Sequence, residues 1–449
     1  MTAMQRCFVM DWRNVSRWDL KGARAARFRL SHPDYRPMAT FAEEVTELVR
    51  PSDQSEKDWP VYGVNNRDGV FFSHRQKGSE FNSTYKRIRN DWFFHNPTRA
   101  NVGSLGRVPS VPDDAITSPE YQVWRIKDGL LPEFVEILLR TRFFLDLVQI
   151  HRTGAVKERL FVQSLLEIPI PVLNELQQRH VVSKWHEALE SVTQIDAEIA
   201  RVRYEIDDEF FAALGLNRPP QRQLPRVLAA RWQDVRRWGV RYNQLLATGA
   251  DISIGTYPVV DLGDMLDLVQ YGTSEKANED GEGTPILRIN NIKDRAIDAA
   301  EIKHVPLSES ARDGLLLQDG DVLLIRTSGS RDLVGTCAVF HGASEYVYAS
   351  YLIRLRVKPG IEPDYVNWYL NSAIGRQQVD LQSRQIMQNN INSEEMRSLQ
   401  IPSPSPKEQH MMVKRIREGV ARIARLQEER TRRDERVRGE IEDLILRTI

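Results

Sequence analysis

An internal repeat constrains this chain more than any other feature of its sequence. Blocks of the first half return in the second half in the same order, at an offset of roughly 220–233 positions. The matched pairs are 12–18 with 232–238, 41–49 with 260–269, 90–98 with 319–327, 102–108 with 334–340, 118–141 with 349–372, and 165–182 with 396–413. One block alone would indicate only ordinary strand or helix patterning. The ordered set predicts a duplication, that is, two copies of one module.

Each copy has the pattern of a module that mixes strands and helices. Short apolar runs bounded by Gly, Asp and Ser, such as VLLIRT at 322–327, predict strands. Segments with aromatic and aliphatic residues at helical spacing, such as 362–372, predict short helices. Proline-broken connectors follow at 168–171 and 401–406, and a long helical pattern comes after each connector.

The two long helical patterns, at 173–214 and 406–447, carry apolar stripes typical of a coiled coil. The stripe residues are Trp185, Leu189, Val192, Ile195, Ile199, Val202 and Ile206 in the first, and Met412, Ile416, Val420, Ile423, Leu426, Val437, Ile441 and Leu444 in the second. A polar stretch, Gln427–Arg436, interrupts the second stripe, and Gly215 is placed to end the first helix. Each helix would be ~60 Å long and must bury its stripe, for which its repeat partner is the nearest candidate. Solvated helices that pack only locally are the alternative.

Composition excludes several classes of protein. A hydrophobic content of 41% supplies apolar cores, and no run approaches the ~20 apolar residues of a membrane-spanning helix. Cys7 and Cys337 are the only cysteines, too few for a disulfide scaffold or a thiolate metal cluster. The start of the chain has Asp11 and Trp12 where a signal peptide would continue its apolar stretch. We therefore expect a cytoplasmic protein.

The charge balance limits how this chain could hold a nucleic acid. The 62 basic and 62 acidic side chains cancel, so any such partner must be held by local patches or with positive charge from another subunit. The most basic stretch contains Arg218, Arg222, Arg226, Arg231, Arg236, Arg237 and Arg241 against one acid, Asp234. Phosphate contact and a solvated linker are both open interpretations of it.

Motifs for catalysis are missing from the sequence. It has no phosphate-binding loop, no HExxH, no paired CxxC and no nucleophile elbow. The segment Asn96-Pro97-Thr98-Arg99 lacks the aromatic residue that would stack on a flipped base in an amino-methyltransferase. We therefore predict recognition rather than catalysis, with no metal and no cofactor on this chain.

Several polar segments could read the edges of DNA bases. Amide side chains pair naturally with adenine and arginine with guanine, although Asn-Asn and Ser-Gly also simply form turns. The candidates from residue type are Asn65, Asn66, Arg67, Asn290, Asn291, Arg326, Ser328 and Arg331.

The ordered blocks resemble the specificity (S) subunit of type I restriction–modification systems. The matching segments are 271–277 (YGTSEKA), 286–292 (ILRINNI), 320–324 (GDVLL) with the Ser-Gly-Ser loop, 102–106 (VGSLG), 389–392 (NNIN) and the Ile-Pro entry into the last helix from 401. The second half matches better, since the first has Tyr62-Gly63-Val64-Asn65 where the second has Tyr-Gly-Thr-Ser. The resemblance adds candidate DNA contacts at Asn96, Arg99, Asn101, Tyr271, Thr273, Ser274, Lys276, Lys293, Gln388 and Asn389.

The resemblance implies an α+β fold with two β-rich target recognition domains, separated by two long antiparallel coiled-coil helices. The implied segments are a first recognition domain at 1–172, a central helix at 173–214, an Arg/Pro-rich linker at 215–231, a second recognition domain at 232–405 and a C-terminal helix at 406–449. Each recognition domain would read one half of a split, asymmetric target in double-stranded DNA, and the helices would fix the unread spacer.

The resemblance also implies partners. Two methyltransferase (M) subunits would dock on the helices and carry the S-adenosylmethionine site, and a restriction (R) subunit could join them. Two alternatives stay open: a specificity subunit of a related methylation-based phage-defence system, and a coiled-coil scaffold that binds proteins and no DNA.

Overall fold

The structure is a computed structural model that describes residues 35–154, 157–219, 243–244, 251–343, 345–382, 384–385 and 389–447. Outside the described residues lie Cys7, the block pair 12–18 and 232–238, Gln388, and the arginines that follow Arg218 in the basic stretch. For Arg331 and Asn389 only the backbone is described.

The chain forms two compact units. Unit 1 comprises Met1–Asp196 with Glu428–Ile449, and unit 2 comprises Ala197–Gln427. The division falls inside both long helices, so each helix contributes one part to each unit. The five segments expected from the sequence stay a prediction.

Unit 1 contains eleven described strands and three short helices, followed by the start of a long helix. The strands are β1 (Tyr35–Pro37), β2 (Ala42–Glu44), β3 (Leu48–Val49), β4 (Asp58–Asn65), β5 (Gly69–Lys77), β6 (Tyr85–Arg87), β7 (Trp92–His95), β8 (Leu105–Arg107), β9 (Ile116–Thr117), β10 (Gln122–Ile126) and β11 (Pro169–Pro171). The helices are α1 (Pro132–Leu139), α2 (Arg142–His151), α3 (Val162–Leu166) and the long α4 (Glu175–Ala213).

Unit 2 contains fourteen described strands. They are β12 (Val259–Asp261), β13 (Leu266–Tyr271), β14 (Thr284–Leu287), β15 (Ile292–Lys293), β16 (Ala296–Ile297), β17 (Lys303–Val305), β18 (Val322–Ile325), β19 (Thr327–Ser328), β20 (Cys337–Val339), β21 (Val347–Tyr348), β22 (Leu352–Val357), β23 (Arg384–Gln385), β24 (Asn389–Asn390) and β25 (Gln400–Pro402). The helices are α5 (Glu309–Leu315), α6 (Pro363–Asn371), α7 (Ala373–Gln382), α8 (Ser393–Arg397) and the long α9 (Pro406–Arg447).

Three sheets correspond between the two units. A four-stranded sheet has the order β2-β10-β7-β8 in unit 1 and β13-β22-β18-β20 in unit 2. A two-stranded sheet pairs β1 with β11 and β12 with β25. A further sheet contains one parallel pair in each unit, β4 with β9 and β14 with β21. Three short helices and a long helix then follow in the same order, so the architecture is duplicated.

The pairing register supports the duplication residue by residue. Phe93 pairs with Trp124 in unit 1, and Val322 pairs with Leu355 in unit 2, which are the matched positions of two repeat blocks. Ile170 of the first proline connector pairs with Arg36, and its counterpart Ile401 pairs with Val260. Backbone hydrogen bonds thus follow the alignment deduced from side chains.

One block of the alignment is wrong. The sequence comparison placed 41–49 beside 260–269, whereas Ala42 pairs with Ile126 as Leu266 pairs with Val357. Ala42 therefore corresponds to Leu266, further along the chain than the alignment put it. The block is only nine residues long, so its apolar pattern fits more than one register.

The core of unit 1 combines its four-stranded sheet with the long helices. The rings of Phe93 and Trp124 are fully buried and stack with centroids 4.5 Å apart. Val181 of α4 and Ile445 of α9 belong to the same buried cluster. This part of the coiled coil is therefore anchored in the domain core.

The long helices match the predicted ranges closely and run antiparallel within each unit. In unit 1, Asp196 accepts a hydrogen bond from Arg430 at 2.6 Å, and Ser191 accepts one from Arg433 further along α9. In unit 2, Glu198 pairs with Arg422 at 2.5 Å. Gly215, with a φ of 69°, ends α4 as expected, because glycine tolerates the left-handed conformation.

The predicted stripe is buried or half-buried, except at two residues. Ile195, Ile199, Val202 and Ile206 are each at most 8% exposed. Leu189 and Val420 are 54% and 44% exposed, so their assignment to the seam is corrected. The polar stretch of α9 contributes ion pairs in place of apolar contacts, as Arg430 does with Asp196.

A close approach between the helices in unit 2 predicts a stability effect. A Cβ atom on Gly419 would lie 2.5 Å from Cγ1 of Ile206, whereas one on Gly439 would meet nothing within 4 Å. We expect Gly419→Leu to lower the free energy of unfolding by about 1–3 kcal/mol through overpacking. Gly439→Leu, the matched control, should leave it unchanged or raise it, since leucine favours helix. Thermal unfolding followed by circular dichroism checks this; equal melting temperatures for the two variants would contradict it.

Candidate DNA interface

The tip of the β4–β5 hairpin exposes polar side chains on unit 1. The Asn65 side-chain oxygen accepts hydrogen bonds from the backbone N–H of Arg67 and Asp68, at 2.8 and 2.6 Å, and thereby closes the turn. Its amide nitrogen donates to Asp68 at 3.0 Å. Asn65 therefore builds the tip, while Asn66 and Arg67 are exposed on it.

A second loop lies against this tip. Asn96 accepts hydrogen bonds from the N–H and the hydroxyl of Thr98, at 3.0 and 2.8 Å, and so forms a local turn. A Cβ atom on Gly103 would stand 3.5 Å from Cβ of Asn66, which places the 96–103 loop beside the hairpin. Arg99 is exposed and Asn101 half-buried. The hairpin surface therefore consists of Asn66, Arg67, Arg99 and Asn101.

In unit 2 the predicted residues meet around Arg326. Its guanidinium carbon lies 4.6 Å from the centroid of the Tyr271 ring, within cation–π distance. The Tyr271 hydroxyl accepts a hydrogen bond from the backbone N–H of Ser393 at 3.0 Å, which fixes the ring. Arg326 donates weakly from Nη1 to the Ser350 carbonyl at 3.4 Å.

Two more loops complete this cluster. Strand β19 pairs with β24, so that Thr327 lies opposite Asn390 and Ser328 opposite Asn389. The backbone of Thr273 exchanges hydrogen bonds with Tyr348 and Ser350, at 3.0 and 2.7 Å, and brings the 271–276 loop alongside. We call Tyr271, Arg326, Thr327, Ser328 and Asn390 the Arg326 cluster.

Two polar atoms of the Arg326 cluster are buried without a hydrogen-bond partner among the described residues. They are Nε of Arg326 and Oδ1 of Asn390. Buried polar groups are nearly always paired, so unpaired ones point to strain or to a binding role.

Other predicted residues serve the protein's own structure. Asn291 is 2% exposed; its oxygen accepts from the N–H of Arg288 at 2.9 Å, and its amide donates to the carbonyls of Asp298 and Glu301 at 2.9 and 3.1 Å. Both N–H groups are used, so none is left for a base edge. Lys293 pairs with Asp298 at 2.6 Å. In contrast to Asn291, the predicted residues Asn290, Ser274 and Lys276 are exposed.

The sequence interpretation omitted several exposed residues at these surfaces. Tyr351 is 55% exposed beside the Arg326 cluster, where its carbonyl accepts from the backbone N–H of Arg326 at 3.0 Å. Asn390 lies in the Asn-Asn-Ile-Asn block, yet only its neighbour Asn389 was selected. In unit 1 the edge strand β5 exposes Phe72, His74 and Arg75. The alternation of apolar and polar residues along a strand could have indicated β5. No pattern in the sequence distinguishes Tyr351.

No three His, Cys, Asp or Glu side chains among the described residues gather into a group that could hold a metal ion. Within the same part of the chain, no helix is both long and apolar enough to cross a membrane.

Comparison with known proteins gives the class of the second half. Residues 255–431 match the family model described as the type I restriction modification DNA specificity domain. The chain is 31% identical over 151 residues to the type I restriction enzyme EcoKI specificity subunit of Escherichia coli strain K12, which covers 33% of this chain and 32% of that protein. It is 29% identical over 164 residues to the putative type I restriction enzyme MjaX specificity subunit of Methanocaldococcus jannaschii, which covers 35% and 38%.

A solved structure shares the fold over nearly the whole chain. It belongs to a type I R-M system and superposes with a TM-score of 0.53 at 18% identity, covering 92% of this chain and 98% of its own.

Residues 255–431 are therefore similar to the type I restriction modification DNA specificity domain. The predicted resemblance to type I specificity subunits is confirmed, as is the α+β fold with two long helices. The sequence alignments span about a third of the length of the curated relatives.

A buried histidine, His95, directly precedes the 96–103 loop of the hairpin surface. Its burial predicts that folding stability depends on pH. His95 is fully buried and Nε2 lies 2.9 Å from the Leu160 carbonyl; burial lowers the His95 pKa to about 4. Because this lies below the ordinary value of 6.5, neutral His95 stabilises the fold fully above pH 6.5, and that contribution is lost as the pH falls toward 4. The difference corresponds to about 3 kcal/mol.

We expect His95→Asn to reduce the loss of stability between pH 7 and pH 5, measured as the urea midpoint at each pH. His186→Asn, on the exposed face of α4, is the control and should keep the wild-type pH dependence. An unchanged pH dependence in His95→Asn would show that His95 is not the group responsible.

Proposed function

We propose that this chain is the non-catalytic DNA-recognition subunit of a type I restriction–modification complex. Unit 1 reads one half of a split DNA target and unit 2 reads the other. Two methyltransferase subunits dock on the chain and supply S-adenosylmethionine and the methyl transfer, and a restriction subunit can join the same assembly. The chain itself selects the site and carries out no chemistry.

The observation that carries this proposal is a duplicated fold with unlike polar surfaces. His95 and Leu324 occupy equivalent positions, since each pairs with the equivalent strands on both sides. Two residues further on, unit 1 has Pro97 and unit 2 has Arg326. Proline has no side-chain hydrogen-bonding group, whereas arginine can bind guanine or phosphate. Two units that share a fold but differ in their polar surfaces are what recognition of an asymmetric split target requires.

The long helices support the second part of the proposal. Both units contain an antiparallel segment of α4 and α9, with cross-helix pairs such as Asp196 with Arg430 and Glu198 with Arg422. Paired helices resist bending more than a single helix or a flexible linker does. We infer that their length sets the number of unread base pairs between the half-sites.

The charge balance fits a subunit that works inside a complex. The formal net charge of +0 gives little long-range attraction to DNA. The positive charge for clamping the duplex would then come from the methyltransferase subunits, while this chain supplies discrimination.

A paired lengthening of the helices tests the proposal. Seven residues of helical sequence are inserted after Ala197 in α4 and seven after Leu426 in α9, so that both helices grow together. Seven residues add about 10.5 Å, or about three base pairs of DNA. We expect the methylated motif to gain a spacer about three base pairs longer with both half-sites unchanged, as read by methylome sequencing.

The same seven residues inserted after Gly281, an open loop position, are the control and should leave the spacer unchanged. A changed half-site together with an unchanged spacer in the helix variant would contradict the role of the helices. DNA binding without sequence preference, with the methyltransferase subunits present, would favour a protein-binding scaffold instead.

A further inference from the structure

We infer that Arg326, held against Tyr271, reads a guanine in the half-site recognised by unit 2, and that Tyr271 is its positioning residue. This inference rests on the proposed function. It identifies the base that one side chain selects, which the recognition role alone does not specify.

Arg326 is a half-buried cation that no carboxylate neutralises within the described part of the chain. Two other half-buried arginines of unit 2 do have carboxylate partners: Arg356 pairs with Asp321 at 2.8 Å, and Arg295 pairs with Asp207 at 3.2 Å. Removing a charge from water without a partner costs free energy. That cost is expected where the partner is a ligand that arrives later.

The guanidinium group is held in place before any ligand binds. Tyr271 packs against it at 4.6 Å, and the Ser393 N–H fixes the tyrosine hydroxyl. The Arg326 backbone is fixed on both sides, since its N–H donates to Tyr351 at 3.0 Å and its carbonyl accepts from Ile391 at 2.9 Å. A pre-positioned side chain loses little conformational entropy on binding, which favours selective contact.

The free hydrogen-bonding groups of Arg326 match guanine. Nε is enclosed, Nη1 has one weak bond to Ser350, and Nη2 has no hydrogen-bond partner among the described residues. The Nη1 and Nη2 side of the guanidinium group can therefore donate two parallel hydrogen bonds. In the major groove, O6 and N7 of guanine form the acceptor pair with this spacing, whereas adenine offers one acceptor beside a donor.

The surroundings favour a base over a phosphate. The other side chains of the cluster, Thr327, Ser328 and Asn390, are uncharged groups of the kind that contact base edges. The equivalent position in unit 1 is Pro97, so the guanine contact would belong to one half-site alone. Phosphate contact by Arg326 is the alternative that the test must separate.

The test is methylome sequencing of cells that carry the full chain with its methyltransferase subunits. Arg326→Lys keeps the positive charge but removes the planar guanidinium group and its paired N–H donors. We expect the preference for guanine over adenine at one position of one half-site to fall about 10- to 100-fold, with the other half-site unchanged. Arg312→Lys, a surface arginine paired with its neighbour Asp313, is the control.

Two tyrosine variants test the positioning role. Tyr271→Leu removes the ring under the guanidinium, and we expect relaxation at the same base position as in Arg326→Lys. Tyr271→Phe keeps the ring and should retain most of the guanine preference that Tyr271→Leu loses. Melting temperatures and co-purification with the methyltransferase subunits show whether each variant is folded and assembled.

The outcomes separate this inference from the proposed function. If the unmodified chain directs methylation to a split motif but Arg326→Lys leaves that motif unchanged, Arg326 contacts phosphate or nothing, and the guanine assignment is overturned. Equal weakening of every site in an assembled Arg326→Lys complex also overturns it. If the unmodified chain directs no methylation at all, the proposed function itself fails.

Discussion

Burial of an apolar stripe between α4 and α9 is the constraint on which the rest of this structure depends. A helix of 39 residues and one of 42 residues, each with an apolar stripe, are not stable in water when those stripes are exposed. In unit 1 this stripe joins the domain core through Trp185 and Ile441, and in unit 2 Ile206 packs against Gly419. Each unit thereby contains a segment of the paired long helices.

Duplication followed by divergence would let one fold serve the two half-sites of the proposed function. The four-stranded sheets of the two units keep the same strand order and pairing register, because changing them would disturb buried side chains such as Trp124 and Leu355. Loops at the surface carry no such cost. The long β5 edge strand of unit 1 corresponds to the short β17 of unit 2, and Pro97 corresponds to Arg326. Differences therefore concentrate where the chain can contact a ligand.

Much of the fold could be predicted from the sequence, because repeats and helical stripes depend on many residues at once. The ranges of both long helices and most of their buried positions were predicted. The exposure of Leu189 and Val420 was not predicted, since the spacing of apolar residues in one helix does not show which of them the partner helix covers. The block at 41–49 was misaligned because a short segment fits several registers.

The candidate site was less predictable, since residue type does not distinguish a ligand contact from a turn. Asn65, Asn96 and Asn291 have the side chains of base readers, yet each is engaged in hydrogen bonds within its own loop. Arg326 could be selected from the sequence, but its stacking on Tyr271 depends on strands that are distant in the chain. The unpaired oxygen of Asn390 likewise becomes visible only in three dimensions.

Sequencing the methylome of a host that carries the unmodified chain with its methyltransferase subunits tests the central claim most directly. Two homologous but divergent readers on a common pair of helices predict one interrupted motif, with two different half-sequences and a spacer of constant length. A continuous motif, two identical halves, or a methylation pattern indifferent to the presence of this chain would contradict it.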